Sequence, residues 1–314
     1  MNTLERFFFK LLLFFVHSPA KEACAEFFGT LVLVLLGDGI MATVTLGHLG
    51  AHGVIVSAIG WGVSVAIAVA LAGTISGGHV NPAVTIALAT MRKCPWKYVV
   101  HYLVAQYLGG FIAAAFVYIV YYDAINEFDN GQRQLPPHPN STAQIFSTYP
   151  QDFVSIGSCF LDQVIGTAML LIVICTAIDQ RYKKVPSHYQ PTIVGLGLMA
   201  IILAFGYNCG APLNPARDLG PRIFTLLAGW GTETFSFRNH MWFWVPVLGP
   251  HVGALLGVLF YSFFIDLTFA NYTMMSSEAE EDEKLVQSSE HEDQNISTEV
   301  CVEDPSLQIN IGAN

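Results

Sequence analysis

Long apolar stretches separated by short polar segments dominate the first 270 residues of this chain. A helix of about 20 apolar residues crosses a bilayer core of about 30 Å, and windows of that length with few charges recur along the sequence. The pattern predicts an all-α membrane protein. Its six predicted spanning helices cover residues 22–46, 54–74, 97–122, 157–178, 190–208 and 241–267.

Two shorter segments that favour a helix lie between the second and third spans and between the fifth and sixth. They cover residues 82–93 and 215–227. At a rise of about 1.5 Å per residue, each reaches about 15 to 20 Å, roughly half of the apolar core. We therefore expect two half-membrane helices in addition to the six spans.

Both short segments begin with the same tripeptide, Asn-Pro-Ala, at Asn81 and again at Asn214, 133 positions later. Asn is a strong helix N-cap, and Pro is favoured at the first helical position. The side-chain oxygens of these two asparagines are therefore expected to cap backbone N–H groups. Their amide groups would remain free to face a passing solute.

The two halves of the chain, residues 22–122 and 157–267, match beyond the tripeptides, since Glu26 in the first span corresponds to Gln163 in the fourth. With three spans per half the copies insert in opposite senses, and such inverted repeats place a shared site near the bilayer midplane. Each helix start carries about half a positive charge. Two starts meeting at one narrow point would oppose protons and cations, while neutral hydroxylated molecules exchange hydrogen bonds and pass.

Composition agrees with a membrane protein and excludes several other functions. Hydrophobic residues make up 53% of the chain and charged residues 12%, and the sequence has no basic patch of the kind that binds nucleic acid. The six cysteines lack the spacing of a metal site or a disulfide framework, so we expect no metal and no cofactor. Residues 276–314 hold eleven acids and one base, which predicts a disordered acidic tail.

Basic residues set the predicted orientation, because they gather on the side of the membrane that carries both termini. Both termini are therefore expected in the cytoplasm. Residues 1–21 would form a cytoplasmic segment whose apolar run is interpreted as an interfacial helix, with a signal-peptide core as the alternative. The loop after the third span then faces outside, and Asn140 in its Asn-Ser-Thr sequon is a candidate glycosylation acceptor.

Ionisable residues inside a membrane are functional candidates by default. Glu26 and Gln163 are predicted to hydrogen-bond the non-helical backbone that leads into the half-helices. His79, beside the first tripeptide, is interpreted as a fixed loop residue, with titration near neutral pH as the alternative. Asp38 lies about 18 Å beyond Glu26 along the first helix, where it either lines an outer vestibule or is solvated.

With these motifs the chain resembles the aquaporin family over roughly residues 20–270. Asp218 and Arg222, which follow the second tripeptide, stand where glycerol-conducting members have an acid and a base, so the chain resembles the aquaglyceroporin branch. The resemblance implies a channel domain over 22–275 with one pore per subunit. It also implies a homotetramer, in the plasma membrane.

The resemblance further implies a selectivity filter formed by Trp61, Ile202, Ala211 and Arg217. Trp61 would offer an apolar face to a polyol, and Arg217 would donate hydrogen bonds to its hydroxyl groups. Ile202 stands where the branch commonly has Gly, and Ala211 stands where it often has an aromatic residue. These two changes oppose each other in volume, so the expected opening still admits glycerol.

Together these features predict a passive channel for water and small neutral solutes such as glycerol, with urea as a further candidate. The channel would exclude protons and ions. No bond is made or broken, so the chain is not predicted to be an enzyme. Two alternatives remain open at this point: an alternating-access transporter built on the same repeat, and a structural junction protein with a vestigial pore.

Overall fold

The computed structural model describes residues 4–6, 9–10, 20–179, 181, 185–270, 272 and 284. Its principal α-helices follow the predicted order closely. They are α1 (Ala20–Leu46), α2 (Gly53–Ser76), α3 (Pro82–Thr90), α4 (Trp96–Val120), α5 (Tyr122–Asp129), α6 (Ile156–Ile178), α7 (Gln190–Cys209), α8 (Pro215–Leu227), α9 (Glu233–Ser236) and α10 (Val245–Tyr261).

The predicted fold class is confirmed: this is an all-α membrane protein with six spanning and two half-membrane helices in an inverted repeat. Within the described residues, α1, α2, α4, α6, α7 and the segment Val245–Ala270 are long and apolar enough to cross a membrane. Helices α3 and α8 have 9 and 13 residues, which corresponds to about 14 and 20 Å. Neither is long enough to cross a bilayer alone.

Small residues let the spanning helices approach one another closely. A side chain at Gly109 of α4 would place its Cβ 2.6 Å from the carbonyl oxygen of Phe27 in α1, and one at Gly253 of α10 would place it 2.3 Å from that of Val164 in α6. Close backbone approach of this kind is how membrane helices gain packing energy. Each half of the repeat therefore has a tight crossing between its first and last span.

Several predicted boundaries were wrong by a few residues. The last span was predicted to start at 241, but α10 begins at Val245, because Trp242 is buried and its indole N–H donates to the carbonyl of Thr148 at 2.7 Å. The third span ends at Val120 instead of 122, and the short helix α5 follows it, with Ile125 and Asp129 buried.

The first half-helix was predicted to reach residue 93 but ends at Thr90. Arg92 takes a left-handed backbone conformation with φ of 58°, and the N–H groups of Lys93 and Cys94 both donate to the carbonyl of Leu88. These contacts close the helix with a tight turn. The second half-helix matches its predicted range of 215–227.

The structure describes only a few residues of the two predicted terminal segments. Residues 4–6 and 9–10 are helical, and α1 begins at Ala20. The rest of segment 1–21, and the tail 276–314 apart from residue 284, lie outside the described residues. The interfacial helix and the disordered tail therefore stay predictions.

Candidate functional site

The two half-helices begin as the tripeptides predict. Asn81 and Asn214 have extended backbones, and the side-chain Oδ1 of Asn81 accepts from the N–H of Ala83 at 2.9 Å. The Oδ1 of Asn214 accepts from the N–H groups of Ala216 and Arg217 at 3.0 and 3.3 Å. Each asparagine is therefore the N-cap of its half-helix, with proline at the first turn.

The amide groups of the two asparagines join the halves of the molecule. Nδ2 of Asn81 donates to the carbonyl of Leu213 at 3.0 Å, and Nδ2 of Asn214 donates to the carbonyl of Val80 at 2.7 Å. The expectation that both amide groups are entirely free was therefore wrong. An amide nitrogen carries two hydrogens, so one N–H per asparagine remains available to a solute.

The backbone before each asparagine has the same unusual conformation in both halves. Val80 and Leu213, one position before, have φ of 44° and 47°, and Gly78 and Ala211, three positions before, have φ of 65° and 47°. A positive φ is strained for a residue with a side chain, and such strain gathers at functional sites. The repeat is thus visible in backbone angles as well as in sequence.

Glu26 and Gln163 support this strained backbone, as predicted. Both are fully buried. Glu26 accepts from the N–H groups of His79 and Val80 at 2.9 and 2.7 Å, and Gln163 accepts from the N–H of Leu213 at 3.3 Å. The residue before each asparagine is therefore anchored by the corresponding polar side chain of α1 or α6.

Further polar groups surround Glu26, and no sequence motif indicates them. Its carboxylate also accepts from the hydroxyl of Ser76 at 2.6 Å and from the side-chain amide of Gln106 at 2.8 Å. The ring of His79 lies 3.2 Å from the hydroxyl of Thr85. These contacts place the backbone of His79 on Glu26 and its ring beside Thr85.

Two cavities meet at the predicted filter. The half-helix cavity, of about 100 Å³, is lined by residues 77–81 and 210–214 and includes both asparagines. The loop cavity, of about 480 Å³, is lined by residues 147–152 and by the ends of α1 and α2. Four residues line both cavities and are called the constriction below: Trp61, Ile202, Gly210 and Arg217.

The constriction brings together three of the four residues predicted for the filter. Ala211 lines only the half-helix cavity, and its neighbour Gly210 lines both. Gly210 was missed because its role follows from its backbone, which takes φ of 74° and caps the C-terminus of α7. Glycine after an apolar helix is the signal for such a cap.

Arg217 is held on three sides. Its Nη1 donates to the carbonyl of Phe146 at 3.0 Å, its guanidinium carbon lies 4.3 Å from the ring centre of Trp61, and Nη1 lies 3.6 Å from the carboxylate of Asp38. Within the described residues the other guanidinium N–H groups donate no hydrogen bond in the protein, so they remain available to a solute.

The position of Asp38 corrects both alternatives considered from the sequence. It is fully buried, so it is not solvated, and it lines neither cavity. Helix α1 continues for eight residues beyond it, to Leu46, which keeps Asp38 inside the bundle. Its side chain faces Arg217.

Asp218 and Arg222 lie outside both cavities and organise the loop that covers the constriction. They form a buried pair, with Nε of Arg222 2.9 Å from Oδ1 of Asp218. Asp218 accepts from the backbone N–H of Thr148 at 2.8 Å, and Arg222 donates to the carbonyl of Thr148 at 2.7 Å. Two residues earlier in this loop, Phe146 binds Arg217, so the pair acts on the constriction through the loop.

Tyr149 completes the loop contacts of this pair. Its ring centre lies 4.8 Å from the guanidinium carbon of Arg222. Loss of water around the phenol raises the pKa of Tyr149 to about 12. The ring therefore faces the cation as a neutral phenol.

In the described part of the chain, no group of three or more His, Cys, Asp or Glu side chains could hold a metal ion.

Comparison with known proteins gives one consistent family. The family model for the major intrinsic proteins matches residues 15–261. A protein named Aquaporin-10 from Milnesium tardigradum is 47% identical over 258 residues, which cover 78% of this chain and 63% of that protein. Aquaporin-9 from Homo sapiens is 42% identical over 259 residues, covering 82% of this chain and 87% of the relative.

A solved structure agrees with the sequence comparisons. The X-ray structure of the aquaglyceroporin from Plasmodium falciparum superimposes with a TM-score of 0.71 at 32% identity, over 79% of this chain and 97% of that one. The paired half-helices and the constriction agree with these similarities. The chain belongs to the major intrinsic protein family, in its aquaglyceroporin branch.

Proposed function

We propose that the protein is a passive membrane channel for water and small neutral solutes such as glycerol, with urea as a further candidate. The observation that carries this proposal is the constriction, where N–H donors of Arg217 without an acceptor among the described residues and the apolar surfaces of Trp61 and Ile202 line the boundary between two cavities. A polyol needs both surfaces, because one side of it is hydrocarbon and the other is hydroxyl.

The proposed path leads from the loop cavity through the constriction to the two asparagines. A solute hydroxyl group that leaves Arg217 next meets the remaining N–H of Asn214 or Asn81. At each step a protein N–H therefore replaces the hydrogen bond that the hydroxyl made with water. The half-positive starts of α3 and α8 face the same point. That field opposes cations and protons without affecting a neutral solute.

Flux measurements on vesicles test this function. Vesicles containing the full chain are expected to take up glycerol faster than protein-free vesicles, with a rate that rises linearly with the gradient. Uptake no faster than in protein-free vesicles would refute the channel. A rate that saturates at low concentration, or depends on an ion gradient, would support an alternating-access transporter instead.

Ile202 offers a matched pair of variants for the pore path. Ile202→Phe is expected to lower glycerol permeability by about tenfold, since a misfit group in an apolar pocket costs at least that much. Leu203→Phe makes the same kind of change at the next position, whose side chain is 50% exposed on the outside of the bundle. It should leave permeability near the parent value, and equal effects of the two would contradict this path.

Ile202→Gly tests the size limit from the other side. Removing the side chain widens the constriction, so permeability to glycerol and urea is expected to rise relative to water. Stopped-flow light scattering with each of the three solutes gives the ratio. An unchanged ranking would mean that Ile202 does not limit the larger solutes.

We propose the same channel domain as the sequence predicts, residues 22–275, assembled as a homotetramer in the plasma membrane with both termini in the cytoplasm. Large apolar side chains such as Val63 of α2 and Val104 of α4 are more than half exposed, which fits contact with lipid or with neighbouring subunits. The mass of the detergent-solubilised assembly, compared with a subunit mass of 34.3 kDa, tests the tetramer. Protease digestion of the acidic tail in sealed cells tests the orientation.

We also propose Asn140 as a glycosylation acceptor. Its side chain is half-buried in the folded loop, and the Thr142 hydroxyl donates to the carboxylate of Asp129 at 2.9 Å. The sugar must then be added before this loop folds. Endoglycosidase treatment should increase the gel mobility of the parent and leave the Asn140→Gln variant unchanged, and no shift in the parent would contradict the proposal.

A further inference from the structure

Asp38 is an acidic residue buried next to the constriction without facing either cavity. It is fully buried in α1, and its Oδ1 lies 3.6 Å from Nη1 of Arg217. Arg217 lines both cavities, whereas Asp38 lines neither. The carboxylate therefore attracts the guanidinium from the side away from the lumen.

Among the residues that the structure describes, no hydrogen bond competes with this attraction. Neither carboxylate oxygen of Asp38 accepts a hydrogen bond from any residue that the structure describes. A buried charge without partners is strongly unfavourable, and removing one member of a buried pair leaves the other uncompensated. Asp38 and Arg217 are thus expected to act as one unit.

The neighbouring residue supports the other wall of the constriction. A Cβ at Gly37 would lie 2.1 Å from ring atoms of Trp61, so the ring rests directly against the backbone of α1. Trp61 in turn stacks on the guanidinium of Arg217 at 4.3 Å. Two consecutive residues of α1 therefore fix the two large side chains of the constriction.

We propose that Asp38 is a specificity-determining positioning residue of the channel. It holds the Arg217 guanidinium toward α1 and balances its charge, which keeps the opening wide enough for a three-carbon polyol. This inference rests on the proposed function, because it concerns which solutes that channel admits. Asp38 itself touches no solute.

The test compares solute ratios in Asp38→Asn, which keeps the shape of the side chain and removes its charge. Without the carboxylate, the guanidinium keeps its contacts with Phe146 and Trp61 but loses the attraction toward α1, so it shifts toward the lumen and narrows it. The ratio of glycerol to water permeability should fall by at least about threefold, the effect expected for directly coupled residues. Asp123→Asn, the same change at an exposed position of α5, should keep the parent ratio.

A double-mutant cycle shows whether Asp38 acts through Arg217. In an Arg217→Gln background, adding Asp38→Asn should no longer change the ratio, because there is no guanidinium to release. Asp38→Glu keeps the charge and should keep the ratio within about twofold of the parent. If Asp38 had only a structural role, Asp38→Asn would lower stability in both the parent and the Arg217→Gln background. It would not change the permeability ratio in one background alone.

Each outcome decides between separate claims. If the parent conducts glycerol and Asp38→Asn has the parent ratio, this inference is wrong while the channel stands. A threefold fall that persists in the Arg217→Gln background also overturns it. If the single variant does not fold, the comparison of Arg217→Gln with the double variant still decides, since unequal ratios there contradict the proposal. A parent without glycerol flux refutes the function itself.

Discussion

At the scale of single residues, Gly37 shows how an absent side chain can set the shape of a pore. Gly37→Ala would place a methyl group 2.1 Å from the Trp61 ring, and because the ring is rigid it must move toward the lumen. Overpacking of this kind costs about 1 to 3 kcal/mol. We therefore expect lower stability and a lower glycerol-to-water permeability ratio, measured by thermal unfolding and stopped-flow scattering.

Gly39→Ala is the matched control for this prediction. A Cβ at Gly39 meets nothing within 4 Å, and alanine is a better helix former than glycine by about 1 kcal/mol. Stability should therefore rise slightly, with unchanged permeability. If Gly37→Ala behaved like Gly39→Ala, the close contact between α1 and Trp61 would be disproved.

The residues that line the half-helix cavity and those that support the constriction differ in how far the sequence reveals them. Asn81 and Asn214 carry a local signal, since an N-cap and a following proline describe a helix start without any knowledge of distant contacts. Gly37 carries none, and Asp38 is marked only as an ionisable residue inside a span, because their roles depend on Trp61 and Arg217, which are far away in the chain. Burial beside a distant cation cannot be predicted from the periodicity of a single helix.

At the scale of elements, α8 acts as a clamp on the loop that covers the constriction. Asp218 and Arg222 are four residues apart and share one helix face, and both bind the backbone of Thr148. Asp218→Asn leaves a buried guanidinium without its counter-charge, at a cost of about 3 to 5 kcal/mol. The midpoint of thermal unfolding should fall sharply, together with glycerol permeability.

Glu233→Gln serves as the control for this clamp, since Glu233 is an exposed acid at the start of the nearby helix α9. It should unfold at the parent temperature. A normal unfolding temperature for Asp218→Asn would mean that the buried pair does not stabilise the loop. If Asp218→Asn unfolded at a lower temperature but still conducted glycerol, the buried pair would stabilise the loop without setting the position of Phe146.

Helices of membrane length were predictable because length and hydropathy alone identify them. The short helices α5 and α9 were not predicted. In α5 the buried carboxylate of Asp129 accepts a hydrogen bond from the guanidinium of Arg133 at 2.9 Å. This contact with the following loop stabilises a helix that is too short to persist alone. Tertiary contacts of this type determine the conformation of this loop.

At the scale of the whole molecule, the inverted repeat could be inferred from two tripeptides, but the way in which the halves meet could not. Each asparagine donates to the carbonyl that precedes the other, Asn81 to Leu213 and Asn214 to Val80. The sequence suggested free amide groups because it shows the cap and hides the partner across the midplane. Reciprocal contacts between the repeats are visible only in the folded structure.

These reciprocal hydrogen bonds predict that the two asparagines contribute jointly to stability. Serine is also a good N-cap, but it is too short to reach across, so Asn81→Ser and Asn214→Ser should each keep their half-helix and lose one bond between the halves. An unsatisfied buried carbonyl costs about 1 to 3 kcal/mol. Because the two bonds share one junction, the loss in the double variant should differ from the sum of the single losses by more than about 0.5 kcal/mol. Thermal unfolding of all four proteins in one detergent measures this difference. Strictly additive losses would mean that each half holds its own asparagine, and that the molecule is two adjacent domains instead of one closed unit.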